Sequence, residues 1–278
     1  PNDRGFVECD AAIMDGASGK AGGVCALQEI ANPVRAARLV LDETPFVLLA
    51  GDGARRFALD HGCARVGDAA AHYRLPVGVE QEDLSRLDPG LVHGTVGAVA
   101  LDGEGRLAAA TSTGGLLGKQ AGRVGDTPIT GIGNWADGKV AISCTGIGES
   151  FIHAGGARDV TARMTYGGQT LEQAAAGMLD AVAAKGGDGG LIALDHAGRC
   201  VMPFNSPGMK RALARAGEAY ARSRISKMRR IDGVSGMRSL ETSVSTLLSS
   251  ITVFIDSIHS ASMSNGRTCT SSRSSMLR

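Results

Sequence analysis

The sequence predicts a mixed α/β protein with layered sheets, and three observations carry that prediction. Short apolar runs bounded by glycine turns, at Val96–Leu101, Leu107–Ala110, Val140–Cys144 and Leu191–Leu194, read as strands buried on both faces. Between them lie stretches with helical spacing, at Pro33–Leu41, Ala54–Asp60, Glu149–Met164 and Leu171–Ala184. Glycine is the third: 40 of the 278 residues, against a usual share of about 7%. These glycines are not periodic and fall between strands. That excludes collagen and flexible linkers and leaves tight turns and close backbone approaches.

Taken in order, residues 67–92 break the rhythm with Pro76, Pro89 and the charged stretch Glu80–Asp88, and read as an exposed connector. The Asp102–Gly105 turn joins Val96–Leu101 to Leu107–Ala110 as an antiparallel hairpin. Thr170 is placed to cap the helix that starts at Leu171, and Gly186–Gly190 to stop it. Serine then divides the chain, with six in residues 1–222 and sixteen in residues 223–278. The tail opens on Arg222, Arg224, Lys227, Arg229 and Arg230 and reads as disordered or weakly helical. On that reading it is dispensable.

Charge and composition exclude several function classes. With 29 basic and 28 acidic residues the formal charge is +1, so no general field holds a polyanion, and no basic patch occurs before residue 210. Neither nucleic acid nor membrane is expected as a partner, since no run reaches 18 consecutive apolar residues. Pro1–Asp10 has no basic segment followed by an apolar one. The six cysteines (Cys9, Cys25, Cys63, Cys144, Cys200, Cys269) are far apart with no C-x-x-C, which fits reduced thiols better than a disulfide framework or a zinc site. The expected location is cytoplasmic.

Four segments could carry chemistry. In His93-Gly94-Thr95-Val96-Gly97, a small residue precedes a threonine at the head of a buried strand. Cleavage between Gly94 and Thr95 would free an α-amine whose reference pKa near 7.7–8.0 suits it to take the proton of its own hydroxyl. A threonine opening a strand is more often structural, and this run alone is weak. Ala110-Thr111-Ser112-Thr113-Gly114-Gly115 ends the hairpin partner. Antiparallel pairing returns it beside Thr95, where Thr113 can meet the nucleophile's oxygen, although it could simply end an edge strand.

In Gly122-Arg123-Val124-Gly125-Asp126, the guanidinium offers a fork for a carboxylate and Asp126 an acceptor for an ammonium. The blander reading is a mutual Arg123–Asp126 surface pair. In Thr145-Gly146-Ile147-Gly148, a strand runs through glycines into a helix, a junction whose N–H groups can converge on an oxyanion. The remaining elements of a dinucleotide fingerprint are missing.

On ECDAAIMDG, HGTVGAVALD, AAATSTGG, GRVGDTPITGIG, SCTGIGE, GGLIALD and MPFNSPGM, the chain resembles the plant-type L-asparaginases, or isoaspartyl (β-aspartyl) peptidases, of the N-terminal-nucleophile hydrolases. The likeness runs through about Glu8–Gly67 and Val92–Met209. It implies an α+β fold of αββα sandwich type, a precursor that cleaves itself between Gly94 and Thr95, and α and β chains that stay together, as a dimer of such pairs. By match, Thr95 is the nucleophile, Thr113 orients or activates it, and Thr111 supports the same strand end. Thr145 and Gly146 form the oxyanion site, Arg123 holds the substrate α-carboxylate, Asp126 its α-ammonium, and the Gly148 carbonyl lies near the amine. The implied substrates are L-asparagine and β-aspartyl dipeptides, with no metal or organic cofactor in the chemistry. The implied division is residues 1–94 as a partial α subunit including the connector 67–94, 95–218 as the β subunit, and 219–278 as an atypical tail.

The family's HGGAG-type first strand and the LEDxPLFNAGxGS-like loop that holds a structural sodium have no counterpart here. The fold is therefore expected to be incomplete at the N-terminus, with backbone groups beside Thr95 left unpaired at about 1–3 kcal/mol each where buried. Glycosylasparaginases share the architecture but show Asp-Thr-Ile-Gly-Met at the cleavage point, and His93-Gly94-Thr95-Val96-Gly97 fits the isoaspartyl branch better. A second reading is a non-catalytic truncated homologue that neither matures nor turns over substrate.

Overall fold

The computed structural model describes residues 1–73, 93–206, 208–216, 222–224 and 251–258. Among the described residues the elements follow in the order β1(Cys9–Asp15), β2(Ala21–Leu27), α1(Pro33–Glu43), β3(Leu48–Ala50), α2(Gly51–Asp60), α3(Ala69–His72), β4(His93–Leu101), β5(Leu107–Leu116), β6(Asn134–Ala136), β7(Val140–Gly146), α4(Gly148–Ala154), α5(Gly156–Gly167), α6(Leu171–Ala183), β8(Gly189–Asp195), β9(Cys200–Val201), β10(Lys210–Arg215), β11(Arg222–Arg224) and β12(Ile251–Ile258). This is an α+β protein with an eight-stranded sheet, β11-β10-β12-β4-β5-β1-β2-β3, and a four-stranded sheet, β6-β7-β8-β9. Among these strands every pairing is antiparallel except β2 with β3.

Strand alternation sorts the core. Ala98 and Ala100 of β4 and Ala108 and Ala110 of β5 pack with Val34, Ala37 and Val40 of α1 and Ala54 and Ala58 of α2. Val99, Leu101, Leu107 and Ala109, on the opposite face, meet Ala136, Ala141, Ile192 and Leu194 of the small sheet. That sheet's other face, with Val140, Ile142, Leu191 and Ala193, packs against Phe151, Val160, Leu171, Met178 and Val182. Both β7 and β8 are buried along their whole length, as their continuous apolar text requires.

Local signals explain the helix ends. Asn32 caps α1 by accepting from the Arg35 N–H at 3.1 Å, with Pro33 in the first turn. Thr170 and Gln173 form a reciprocal capping box at α6. The single helix expected over Glu149–Met164 is instead two, α4 and α5, because Gly155 adopts a left-handed conformation (φ 84°) that turns the chain.

Three expectations change at the ends. Part of the connector is ordered: Ala69–His72 is a helical turn and His93–Gly94 belong to β4, while residues 74–92 lie outside the described residues. The tail is not wholly disordered or weakly helical, because 222–224 and 251–258 are strands. Nor is the backbone beside Thr95 unpaired. The strand β12 runs antiparallel between β4 and β10, from Ile251 opposite Leu101 to Ser257 opposite Thr95 and Ile258 opposite Gly94. The β-branched and aromatic run Ile251-Thr252-Val253-Phe254-Ile255 suits a strand inside a sheet; serine content alone concealed this. The rest of the tail, Cys269 included, lies outside the described residues.

Candidate active site

Register brings Thr95, Thr113 and Asp10 into one row across the large sheet, since Thr95 lies opposite Thr113 and Thr113 opposite Asp10. Cross-strand partners share a face, here the one turned to the small sheet. Between His93 opposite Leu116 and Thr95 opposite Thr113 the ladder slips, with Gly114 and Gly115 opposing Gly94 alone. Gly115 takes φ 79° to make this bulge. The bulge aims Thr113 at the Gly94–Thr95 bond. Its Oγ1 donates to the Gly94 carbonyl at 2.8 Å, accepts from the Thr95 hydroxyl at 3.3 Å and accepts from the Gly115 N–H at 3.0 Å. A hydroxyl has one donor and two acceptor sites, so this one is fully used. Thr95 is 5% exposed and Thr113 9%.

Thr111, two residues along on the same face, faces the small sheet. It shares a 2.7 Å bond with Ser143 Oγ, donates to the Gly133 carbonyl and accepts from Asn134 Nδ2. This buried network ties β5 to β6 and β7. Thr145 and Gly146 close β7, which packs against β4, and both are buried. The strand then leads through Ile147 into α4.

Arg123, Asp126 and Gly148 come together. A Cβ on Gly148 would lie 2.9 Å from the Asp126 nitrogen and 3.0 Å from an Arg123 Nη atom, so only glycine lets α4 approach the turn. The surface pair between Arg123 and Asp126 does not form. Arg123 instead makes a two-pronged bond to Glu149, 2.8 and 2.7 Å, and that bond holds the Glu149 carboxyl below its ordinary range. Asp126 is left buried with Oδ2 unbonded. Burial pushes its pKa up to about 6, opposed by its own backbone N–H and by Arg123 and reinforced by Asp10 and Glu149.

Sequence reasoning missed Glu149, Lys119, Glu8 and Asp10. Lys119 is buried under the bulge, and its Nζ donates to the Glu8 and Arg123 carbonyls at 3.1 Å each, with the Glu8 carboxylate 3.9 Å away. It pins the fork turn to the head of β1. The available signal was charge inside apolar text: acids at 8 and 10 flank Cys9 at the start of a strand, and buried charges are kept only with partners or a use. Among the described residues no group of three His, Cys, Asp or Glu side chains is gathered to hold a metal ion. No helix among them is long and apolar enough to cross a membrane. Cys9, Cys25, Cys63, Cys144 and Cys200 are all free thiols.

The family model described as asparaginase matches residues 1–222. The isoaspartyl peptidase of Escherichia coli K12 is 45% identical over 224 residues, covering 76% of this chain and 70% of that protein. The isoaspartyl peptidase/L-asparaginase of Bos taurus is 41% identical over 227 residues, 79% of this chain and 73% of that protein. That of Homo sapiens is 41% identical over 226 residues, with the same shares. The match spans both the strand headed by Thr95 and the turn that carries Arg123 and Asp126, and on it the chain belongs to the asparaginase family.

Proposed function

We propose that this chain is a self-processing amidohydrolase that cleaves between Gly94 and Thr95 and then hydrolyses L-asparagine, β-aspartyl dipeptides or both, releasing L-aspartate. The layered packing supports the αββα sandwich of the N-terminal-nucleophile hydrolases. The observation that carries the reading is the hydrogen-bond chain from the Thr95 hydroxyl to Thr113 and from Thr113 to the Gly94 carbonyl. It joins a nucleophile to the carbonyl it must attack.

In this mechanism Thr95 Oγ adds to the Gly94 carbonyl carbon while the Thr113 hydroxyl bonds the oxygen on which charge develops. The C–N bond breaks, the Thr95 nitrogen takes the proton, and an ester links Gly94 to Thr95 Oγ. Water hydrolyses the ester, leaving a Gly94 carboxylate and a Thr95 α-amine. That amine then accepts the Oγ proton as Oγ attacks the substrate's side-chain carbonyl. Ammonia or an amino acid leaves, and water releases L-aspartate from the ester. Arg123 and Asp126 would take the substrate's α-carboxylate and α-ammonium, and Thr145 with Gly146 the oxyanion. The two chains are proposed to stay together in a homodimer of pairs, in the cytoplasm, with no metal or organic cofactor in the chemistry.

Incubating the purified protein and weighing it under denaturing conditions tests the reading. Two pieces are expected, the second beginning at Thr95, with release of L-aspartate from a β-aspartyl dipeptide. A chain that stays at 28.4 kDa and releases nothing refutes it and favours the non-catalytic homologue.

The Asp126 carboxyl adds a pH prediction. Its folded pKa of about 6 lies above the ordinary aspartate value of 3.8, so its protonated form stabilises the unliganded fold below pH 4, and that contribution fades as pH rises to 6. The gap is worth roughly 3 kcal/mol. An ammonium ligand needs the carboxylate. L-aspartate affinity measured by calorimetry is expected to fall by up to about tenfold for each pH unit below about 6; an affinity flat from pH 7 to 4.5 removes Asp126 from the site.

A further inference from the structure

We propose that Asp10 is a second acid of the ammonium subsite and sets its preference for a ligand that carries an α-ammonium; this rests on the substrate reading above. Asp10 is fully buried in the row that holds Thr113 and Thr95, on the same face of the sheet. Its Oδ1 accepts from the Ala26 N–H at 2.9 Å, and its Oδ2 meets no hydrogen-bond donor in good geometry. The same is true of Asp126 Oδ2. Lys119 Nζ bridges the Glu8 and Arg123 carbonyls and so draws the turn that carries Asp126 against the head of β1, where Asp10 lies; the Asp10 charge in turn helps to raise the Asp126 pKa.

The two cations that act on Asp10, Lys119 and Arg123, already have acidic partners. The Arg123 charge is met by the two-pronged Glu149 bond, and the Lys119 ammonium faces Glu8. Neither Asp10 nor Asp126 forms an ion pair among the described residues. Cys9, Cys25 and Cys144 lie near these acids as buried thiols and bring no positive charge. Two buried carboxylate oxygens without donors are costly unless a cation arrives. An α-ammonium, with three N–H donors, would satisfy both, whereas the same ligand without it would bring its own negative charge against them.

Binding of L-aspartate and of succinate, which lacks only the ammonium, to the self-cleaved protein and to Asp10→Asn separates this role from a structural one. The amide keeps the oxygen that holds Ala26 while removing the charge. L-Aspartate is expected to bind on the order of tenfold more weakly to Asp10→Asn, as for loss of one charge-assisted contact, with succinate unchanged or tighter. Equal weakening of both ligands, or no change in either, overturns the proposal. Because Ala26 has φ 49°, an Ala26→Gly background, in which glycine takes that conformation without the Asp10 bond, keeps the test open if Asp10→Asn alone does not fold. Wild-type protein that binds neither ligand overturns the substrate reading together with this one. Wild-type protein that prefers L-aspartate, with the preference intact in Asp10→Asn, overturns this one alone.

Discussion

Replacing Thr113 with valine is expected to leave the chain whole at Gly94–Thr95. The substitution keeps the branched shape on a strand that favours it. What disappears is the donor on the Gly94 carbonyl and the acceptor for the Thr95 hydroxyl. A positioned proton-handling group contributes about a hundredfold to ten-thousandfold in rate, so cleavage should slow by at least the lower figure. The Gly115 N–H also loses its partner, at about 1–3 kcal/mol where buried. That cost lowers thermal stability without unfolding a domain of this size. Mass spectrometry over days, alongside a circular dichroism melt, reads both effects. A folded Thr113→Val chain cleaved at the wild-type rate removes Thr113 from the mechanism.

A stop after Arg224, which keeps β10 and β11 and deletes β12, is expected to abolish soluble, cooperatively folding protein. The composition of the tail argues that nothing would be lost. The register argues the reverse, because β12 lies between β4 and β10 and pairs with each. Its loss would strip one edge of β4, including the ladder positions of Gly94 and Thr95. Each unmade backbone bond is worth about 0.5–1.5 kcal/mol, and several together reach the whole stability of a typical domain, about 5–15 kcal/mol. An open apolar edge also invites pairing with other chains. Sedimentation and thermal melts of the shortened chain check this; a soluble monomer with the melting temperature and self-cleavage of the full chain would show that β12 is dispensable after all.

Much of the site could be read from the chain because its parts are local. The glycine turn at 122–126, the strand ending at Gly146 and the threonine at the head of β4 each sit within a few residues of text. Pairing of Thr95 with Thr113 followed from one short hairpin, in which turn position sets register. At Arg123 locality ends. Spacing joined it to Asp126, whereas the fold gave its guanidinium to Glu149, which is remote in sequence and close only once α4 settles against the turn through Gly148.

By itself the sequence determined the fold class, the strands around Thr95, the Thr170 cap and the company of residues that marks the family. Each depends on propensity, periodicity or near neighbours. Tertiary structure alone decided that Lys119 braces the fork, that Asp10 stands in line with Thr113 and Thr95, and that a serine-rich tail supplies a strand inside the sheet. Those outcomes turn on pairing between distant segments and on the dielectric of the space they enclose. Burial raises the Asp126 pKa and leaves its oxygen unbonded, and no window of neighbouring residues contains that burial.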